Sequence, residues 1–268
     1  MYEKTSKQSL ALKRFTNVVP CEKRVMNEIL CIVRIHFRRF GLIRLGDRIL
    51  PGVSTKDIGY LTHCALTGLW GSRSPRPFLI LDQEERESVV PVLGYFQVPK
   101  TYLSNQQVIQ LQEELLDLAK INAAIDVYNM VDWSSFQAKP LPNQWTPGRV
   151  YRFRVRCVPV QRIHGREMDI FPKFGRPQDR NRVYSSWIER QFSKYGVSVL
   201  DCSMERFQLS TQFRRTQGEH RKGVVFQSPD AIMSGVLRIE DPVGFSRLLC
   251  EGIGHHRGFG YGLVLISV

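Results

Sequence analysis

No stretch of this 268-residue chain is apolar for long enough to cross a membrane as a helix, and Met1 to Pro20 is basic without the apolar centre of a secretion signal. No membrane partner is expected, and the location expected is cytoplasmic. The six cysteines, at 21, 31, 64, 157, 202 and 250, show no short paired spacing, which argues for reduced thiols and against a zinc ribbon or a disulfide framework. No carboxylates gather at ligand spacing, so a metal-dependent nuclease is disfavoured, and neither a metal nor a cofactor is expected. Arginine is missing from residues 87–148, where six acids face three lysines. That stretch is net −3 in a chain of net charge +13, which leaves +16 for the remainder.

The positive charge that is present is mostly arginine, 27 against 11 lysines. A guanidinium binds phosphate through a planar fork and stacks on bases, so nucleic acid is the expected partner. The last turn carries the strongest signal. Gly252-Ile253-Gly254-His255-His256-Arg257-Gly258-Phe259-Gly260-Tyr261-Gly262 places five glycines among two histidines and an arginine, a backbone able to approach a phosphate chain closely. It follows a helical stretch and leads into a strand, so it is neither a Walker loop nor a dinucleotide fingerprint.

Two segments read alike. From Glu28, Cys31, Val33, Ile35 and Phe37 alternate with Arg34, His36 and Arg38; from Val150, arginines at 152, 154 and 156 do the same. Each is a strand with a buried face and an arginine row. A helix follows each and then more strands, so the chain reads as a repeated βαββαβ module of α+β class. In the first half helices are expected over Thr55–Trp70 and Ser104–Asn122, with Ser104 as N-cap, and strands over Arg76–Leu81, Ser88–Val98 and Ala124–Val131. Asp132–Gly148, with three prolines, reads as connection without regular structure. The units are then residues 1–136, a linker at 137–148, and 149–268. In the second half a helix is expected over Val183–Lys194, strands over Val197–Phe213 and Gly223–Leu237, a helix capped by Asp241 through Cys250, and a strand over Leu263–Val268. Between the two long strands, Arg214, Arg215, His220, Arg221 and Lys222 make a basic hairpin tip suited to reach into a nucleic-acid groove.

This order resembles the CRISPR-associated repeat-processing endoribonucleases, members of the repeat-associated mysterious protein superfamily built from two ferredoxin-like, RRM-like domains. The terminal glycine-rich run, Arg152-Phe153-Arg154-Val155-Arg156-Cys157-Val158-Pro159-Val160 and Trp187-Ile188-Glu189-Arg190 are similar to the type I-E branch. So is the spacing from Tyr60-Leu61-Thr62-His63 to Pro77-Phe78-Leu79-Ile80. A leader of 27 residues before the first strand and a basic stretch from Arg38 to Arg48 depart from that branch and suit the divergent type IV enzymes, in which arginines replace the catalytic histidine.

The resemblance implies metal-independent cleavage of a CRISPR repeat RNA hairpin by its own 2′-hydroxyl, leaving a 2′,3′-cyclic phosphate and a 5′-hydroxyl. It also implies retention of the mature guide RNA alongside other effector subunits. A base, an acid and a phosphate-neutralising cation are needed. His63 is the first choice for the proton transfers, Tyr60 lies one helical turn away, Arg257 suits the phosphate, and Arg38 beside His36 is the alternative centre. RNA contacts are expected from Arg34, His36, Arg39, Arg152, Arg154, Arg156, Arg214, Arg215, Arg221 and Lys222, and from the loop at Gly252, Gly254, His255, His256, Gly258 and Gly260. An A-form stem is recognised mainly through its backbone, which suits arginine rows. Arginine-poor residues 87–148 remain for protein contact. A non-catalytic RNA-holding subunit and a general structured-RNA binder are the competing readings.

Overall fold

A computed structural model describes residues 28–49, 57–81, 88–99, 105–142, 144–172, 176, 179–215 and 223–268. Its first sheet is built by β1 (Glu28–Arg38), β2 (Phe78–Ile80), β3 (Val89–Pro99) and β4 (Gln137–Pro140), in the order β2-β3-β1-β4 with antiparallel pairing. Helices α1 (Arg39–Ile49), α2 (Ile58–Trp70), α3 (Asn105–Asn122) and the short α4 (Ile125–Tyr128) belong to the same half. The second sheet is built by β5 (Val150–Cys157), β8 (Val197–Arg215), β9 (Gly223–Ile239) and β10 (Val264–Ser267), in the order β10-β5-β9-β8, and is also antiparallel. Between β5 and α5 (Arg180–Ser193) lies a two-stranded ribbon, β6 (Val160–Ile163) and β7 (Arg166–Asp169). Helix α6 (Pro242–Glu251) precedes the terminal loop. Each half is thus a βαββαβ ferredoxin-like unit, as the repeated strand pattern implied.

The alternation on β1 does what its spacing predicts. Cys31, Val33, Ile35 and Phe37 are fully buried and pack under Leu61, Ala65 and Leu69 of α2. Burying each large apolar side chain contributes roughly 1.5–3 kcal/mol against exposure. In the second half Phe153 and Val155 of β5 pack with Ile188 and Phe192 of α5 and Leu248 of α6. Asp241 caps α6, accepting from Val243 N at 2.9 Å.

Three parts of the first half differ from expectation. The basic stretch after β1 is itself helical, because Leu42, Leu45 and Gly46 recur at helical spacing and bury one face of α1. Residues 124–131 turn as helix rather than run as a strand: Tyr128 N and Asn129 N bond back to Ala124 O and Ile125 O, so Val127 and Met130, three apart, become buried. A short apolar run supports either period, and here tertiary packing decides. The fourth strand instead lies within the proline-bearing connection, where Gln137 pairs with Arg34 and Pro140 with Cys31. Proline is tolerated there because β4 is an edge strand and its missing N–H faces away from the ladder. The expected Ser104 cap and most of the hairpin tip, Arg221 and Lys222 included, lie outside the described residues.

The two halves are sewn together. Tyr95 of β3 donates its hydroxyl to Val264 O at 2.8 Å and is buried with Leu79 in the second core, while Phe213 of β8 is buried in the first. This seam positions the candidate site.

Candidate RNA-cleavage cleft

Helix α2 begins at the seam. Asp57 caps it, with Oδ1 accepting from Tyr60 N at 2.9 Å. The other oxygen accepts from Phe213 N at 2.7 Å and from Arg214 Nη1 at 3.0 Å, so one carboxylate joins a helix start in the first half to a strand end in the second. Both members of the ion pair are mostly buried, with side-chain exposures of 12% and 15%. Gly59, on the next turn, allows the terminal loop to close on α2, because a Cβ there would overlap the Phe259 carbonyl oxygen.

The loop itself is held in left-handed conformations. Gly252, Gly254, Gly260 and Gly262 have φ of +65°, +70°, +92° and +78°, and His256 joins them at +61°. Gly262 N donates to Arg156 O and Ile253 N to Gly262 O, which pins the loop against β5.

These constraints gather three of the expected residues. The His63 ring lies 4.8 Å from Phe259, and Tyr60 packs between Phe213 and Phe259 at 4.9 and 6.2 Å. Gly258 lies beside His63, whose Nδ1 is the nearest atom to it. Burial pushes the His63 imidazole down to about 4, helped by Arg76 and Arg214 and opposed by a hydrogen bond to the Gly258 backbone. The ring is therefore neutral near pH 7 and able to accept a proton. Tyr60 is buried in the first core and shares the Phe259 ring with His63.

His256 has a different fate. Its Nδ1 faces the Arg214 guanidinium at 3.2–3.3 Å and its Nε2 reaches Glu167 at 2.6 Å, while His255 Nδ1 stands 3.1 Å from the other Glu167 oxygen. Burial and Arg214 lower the His256 pKa against the pull of Glu167. Arg214 also lies over Phe259, 3.6 Å from the ring centroid, and donates to Gln212 at 2.6 Å. The first residue of the expected prong is thus folded into the seam. Arg257 is exposed, with Nη1 donating to Glu251 O at 2.8 Å, and remains at the mouth of the loop.

The arginine rows divide as well. Arg34 and Arg152 are exposed, Arg154 pairs with Glu205 at 2.8 Å, and Arg156 is clasped by buried Asp230 at 2.6 and 2.9 Å. His36 donates to Ser135 Oγ at 2.6 Å and has its pKa lowered by burial and Arg34. Arg38 is exposed and is not among the charges that act on His63; it lines a separate cavity beside α1. Arg39 starts α1, its N–H bonded to Ser88 O. Among the described residues no three His, Cys, Asp or Glu side chains converge as metal ligands would.

Sequence reasoning missed Asp57, Arg76, Phe259 and Glu167 as site residues. Asp57 carried a signal, an acidic residue directly before an apolar helix. Glu167 carried none, since it reaches the loop from 89 residues away.

A family model for a CRISPR associated protein matches residues 82–267. Comparison with curated proteins finds no match. Among solved structures, the CRISPR endoribonuclease Cse3 bound to a 19-nucleotide RNA superposes with a TM-score of 0.56 at 18% identity, covering 89% of this chain and all of that one. Cas6e from Escherichia coli str. K-12 gives 0.51 at 14%, covering 88% and 98%. A chain of a CRISPR RNA-guided surveillance complex gives 0.53 at 12%, covering 89% and 99%. With the family model spanning well over half of its residues, this chain belongs to the CRISPR-associated protein family.

Proposed function

We propose that the protein is an endoribonuclease that cleaves a CRISPR repeat RNA hairpin without a metal and holds the resulting guide RNA as a subunit of a larger complex. The observation that carries this reading is a neutral histidine, His63, at the seam between two RNA-binding-type sheets, flanked by arginines. The family match and the fold shared with RNA-bound Cse3 support it.

With Nδ1 turned to Gly258, His63 keeps Nε2 as an acceptor for the 2′-hydroxyl proton. The 2′-oxygen then bonds to the adjacent phosphorus, the bond to the 5′-oxygen breaks, and water protonates the departing 5′-oxygen. The products are a 2′,3′-cyclic phosphate and a 5′-hydroxyl. Negative charge gathers on the phosphorane, and Arg76, whose charge acts on His63, is the cation proposed to meet it, while exposed Arg257, held by Glu251 O, is proposed for the neighbouring RNA backbone. Arg214, engaged by Asp57, Gln212 and His256, builds the site instead of touching the phosphate. Exposed Arg34 and Arg152 serve the RNA backbone. Residues 87–148, free of arginine, face neighbouring subunits.

Incubation with repeat RNA in EDTA tests this. The intact repeat is cut, a repeat with a 2′-deoxy nucleotide at the cut site is not, and His63→Ala slows cleavage by roughly 10²–10⁴-fold. Loss of cleavage in Arg38→Ala with His63→Ala unaffected moves the centre to β1. Binding without cutting by the native protein makes it an RNA-holding subunit.

A further inference from the structure

Helix α1 is a feature that the sequence pattern did not lead one to expect. It buries Leu42, Leu45 and Gly46 against the rest of the first half, yet its opposite side leaves Phe40 70% exposed and Ile43 45% exposed. Four arginines and one acid lie between residues 38 and 48. Along one flank of the helix is a cavity of about 520 Å³ whose walls include Arg38, Phe40, Arg44, Arg48, Asp126 and Asn129. That volume falls in the range of roughly 300–1,000 Å³ usual for small-ligand sites. Every lining residue comes from β1, α1, α4 or the turn after α4, so the cavity is separate from the cleft that α2 makes with the terminal loop.

The wall chemistry is specific. Arg44 lies over the Phe40 ring, 5.7 Å from its centroid, so the guanidinium sits on one face of a ring that is otherwise largely open to solvent. Among the described residues neither Arg38 nor Arg44 has an ion-pair partner, whereas Arg48 is paired with Asp126. A ring surface beside unneutralised guanidinium groups suits a base and its phosphate. Asn129 adds an acceptor and a donor that fit the edge of a base, and Asp126, engaged by Arg48 and Val127 N, still opposes an acidic peptide.

We propose that this cavity is a second RNA contact, which holds one nucleotide of an unpaired strand with its base on Phe40 and its phosphate on Arg44 and Arg38. The assignment rests on the RNA-processing reading above and extends it to single-stranded sequence beside the hairpin. It makes α1 a handle on the flank of the transcript while the seam handles the cut.

The test measures binding of fluorescein-labelled oligocytidylate, which has no stem, by anisotropy at fixed salt. Phe40→Ala and Arg44→Ala are each expected to weaken it at least about fivefold, as loss of one stacked base does. Cleavage of the hairpin repeat is expected to stay at the native rate in both. Phe40 is exposed, so its truncation leaves the core intact, and circular dichroism checks this. Unchanged oligocytidylate affinity in both folded variants overturns the proposal. Binding of a polyglutamate peptide that is lost in the same variants, with RNA affinity unaffected, also overturns it in favour of an acidic protein partner. A native protein that binds oligocytidylate through Phe40 and Arg44 but never cuts the hairpin upholds this site and sinks the cleavage reading.

Discussion

His63 and His256 stand at the same seam, both touching Phe259 and both near Arg214, yet they have different capacities. Burial lowers the pKa of each. His256 spends both nitrogens: a guanidinium only donates, so Nδ1 accepts from Arg214, and Nε2 must carry the hydrogen that goes to Glu167. A ring with both nitrogens occupied orients a loop and moves no proton. His63 faces arginines and a backbone group but no carboxylate among the charges that shift it, which leaves one nitrogen available. What separates the two histidines is the partner count, since burial is shared.

The largest way to break this contrast is to remove the carboxylate that supports both rings. Asp57→Ala takes away the α2 cap and leaves buried Arg214 without its charge partner. Breaking one side of a buried pair costs about 3–5 kcal/mol, so urea denaturation should show a loss of that order. Asp57→Asn, which keeps an oxygen for Tyr60 N, should lose less. A stability within about 0.5 kcal/mol of native in Asp57→Ala would refute the role given to the pair.

A smaller effect separates the two histidines directly. His256→Ala leaves Glu167 to His255 and Arg162 and opens one side of Arg214, a loss of about 1–3 kcal/mol in stability. It should slow cleavage by displacing the loop while leaving the midpoint of the pH–rate profile in place. His63→Ala should show the reverse, a native-like melting curve with cleavage slowed by roughly 10²–10⁴-fold. A shifted midpoint in His256→Ala would give that ring the catalytic role instead.

Much of this fold was legible because strand alternation is a local signal. The rows on β1 and β5 announced two sheets, and the paired rows exposed the repeat. The region around residues 124–140 was not legible, since a four-residue helix and an edge strand ending in Pro140 leave no clear period. In the cleft, His63 and the glycine loop, both singled out in the sequence, come together, whereas two arginines of the β5 row are engaged by carboxylates. Asp230 and Glu205 approach Arg156 and Arg154 from 74 and 51 residues away, and a sequence cannot show which cations a distant carboxylate will claim. Arg214 sat at the edge of a basic run and looked like part of a prong, when Asp57 draws it inward.

The finest test concerns the field on His63. As a base it works when unprotonated, so cleavage should hold level from neutral pH downward and fall as pH drops through about 4. Burial is the first cause of that low value and Arg76 the next, with Arg214 behind it. Arg76→Ala removes one positive neighbour but neither the burial nor Arg214, so the acid limb should rise part of the way toward the ordinary histidine value near 6.5. Arg76→Lys keeps the charge and should leave the limb near its native position. The midpoint reads the field on the ring, whereas the plateau reads any phosphate contact that Arg76 also makes, so the two roles separate in one profile. Linkage gives an independent check. A histidine whose folded pKa lies below its unfolded one takes up its proton first in the unfolded chain, so stability declines as pH falls from about 6.5 toward 4. Arg76→Ala should shallow that decline in the same variant that moves the rate profile. A limb that stays in place when Arg76 is neutralised would mean that the group titrating in the reaction is not His63.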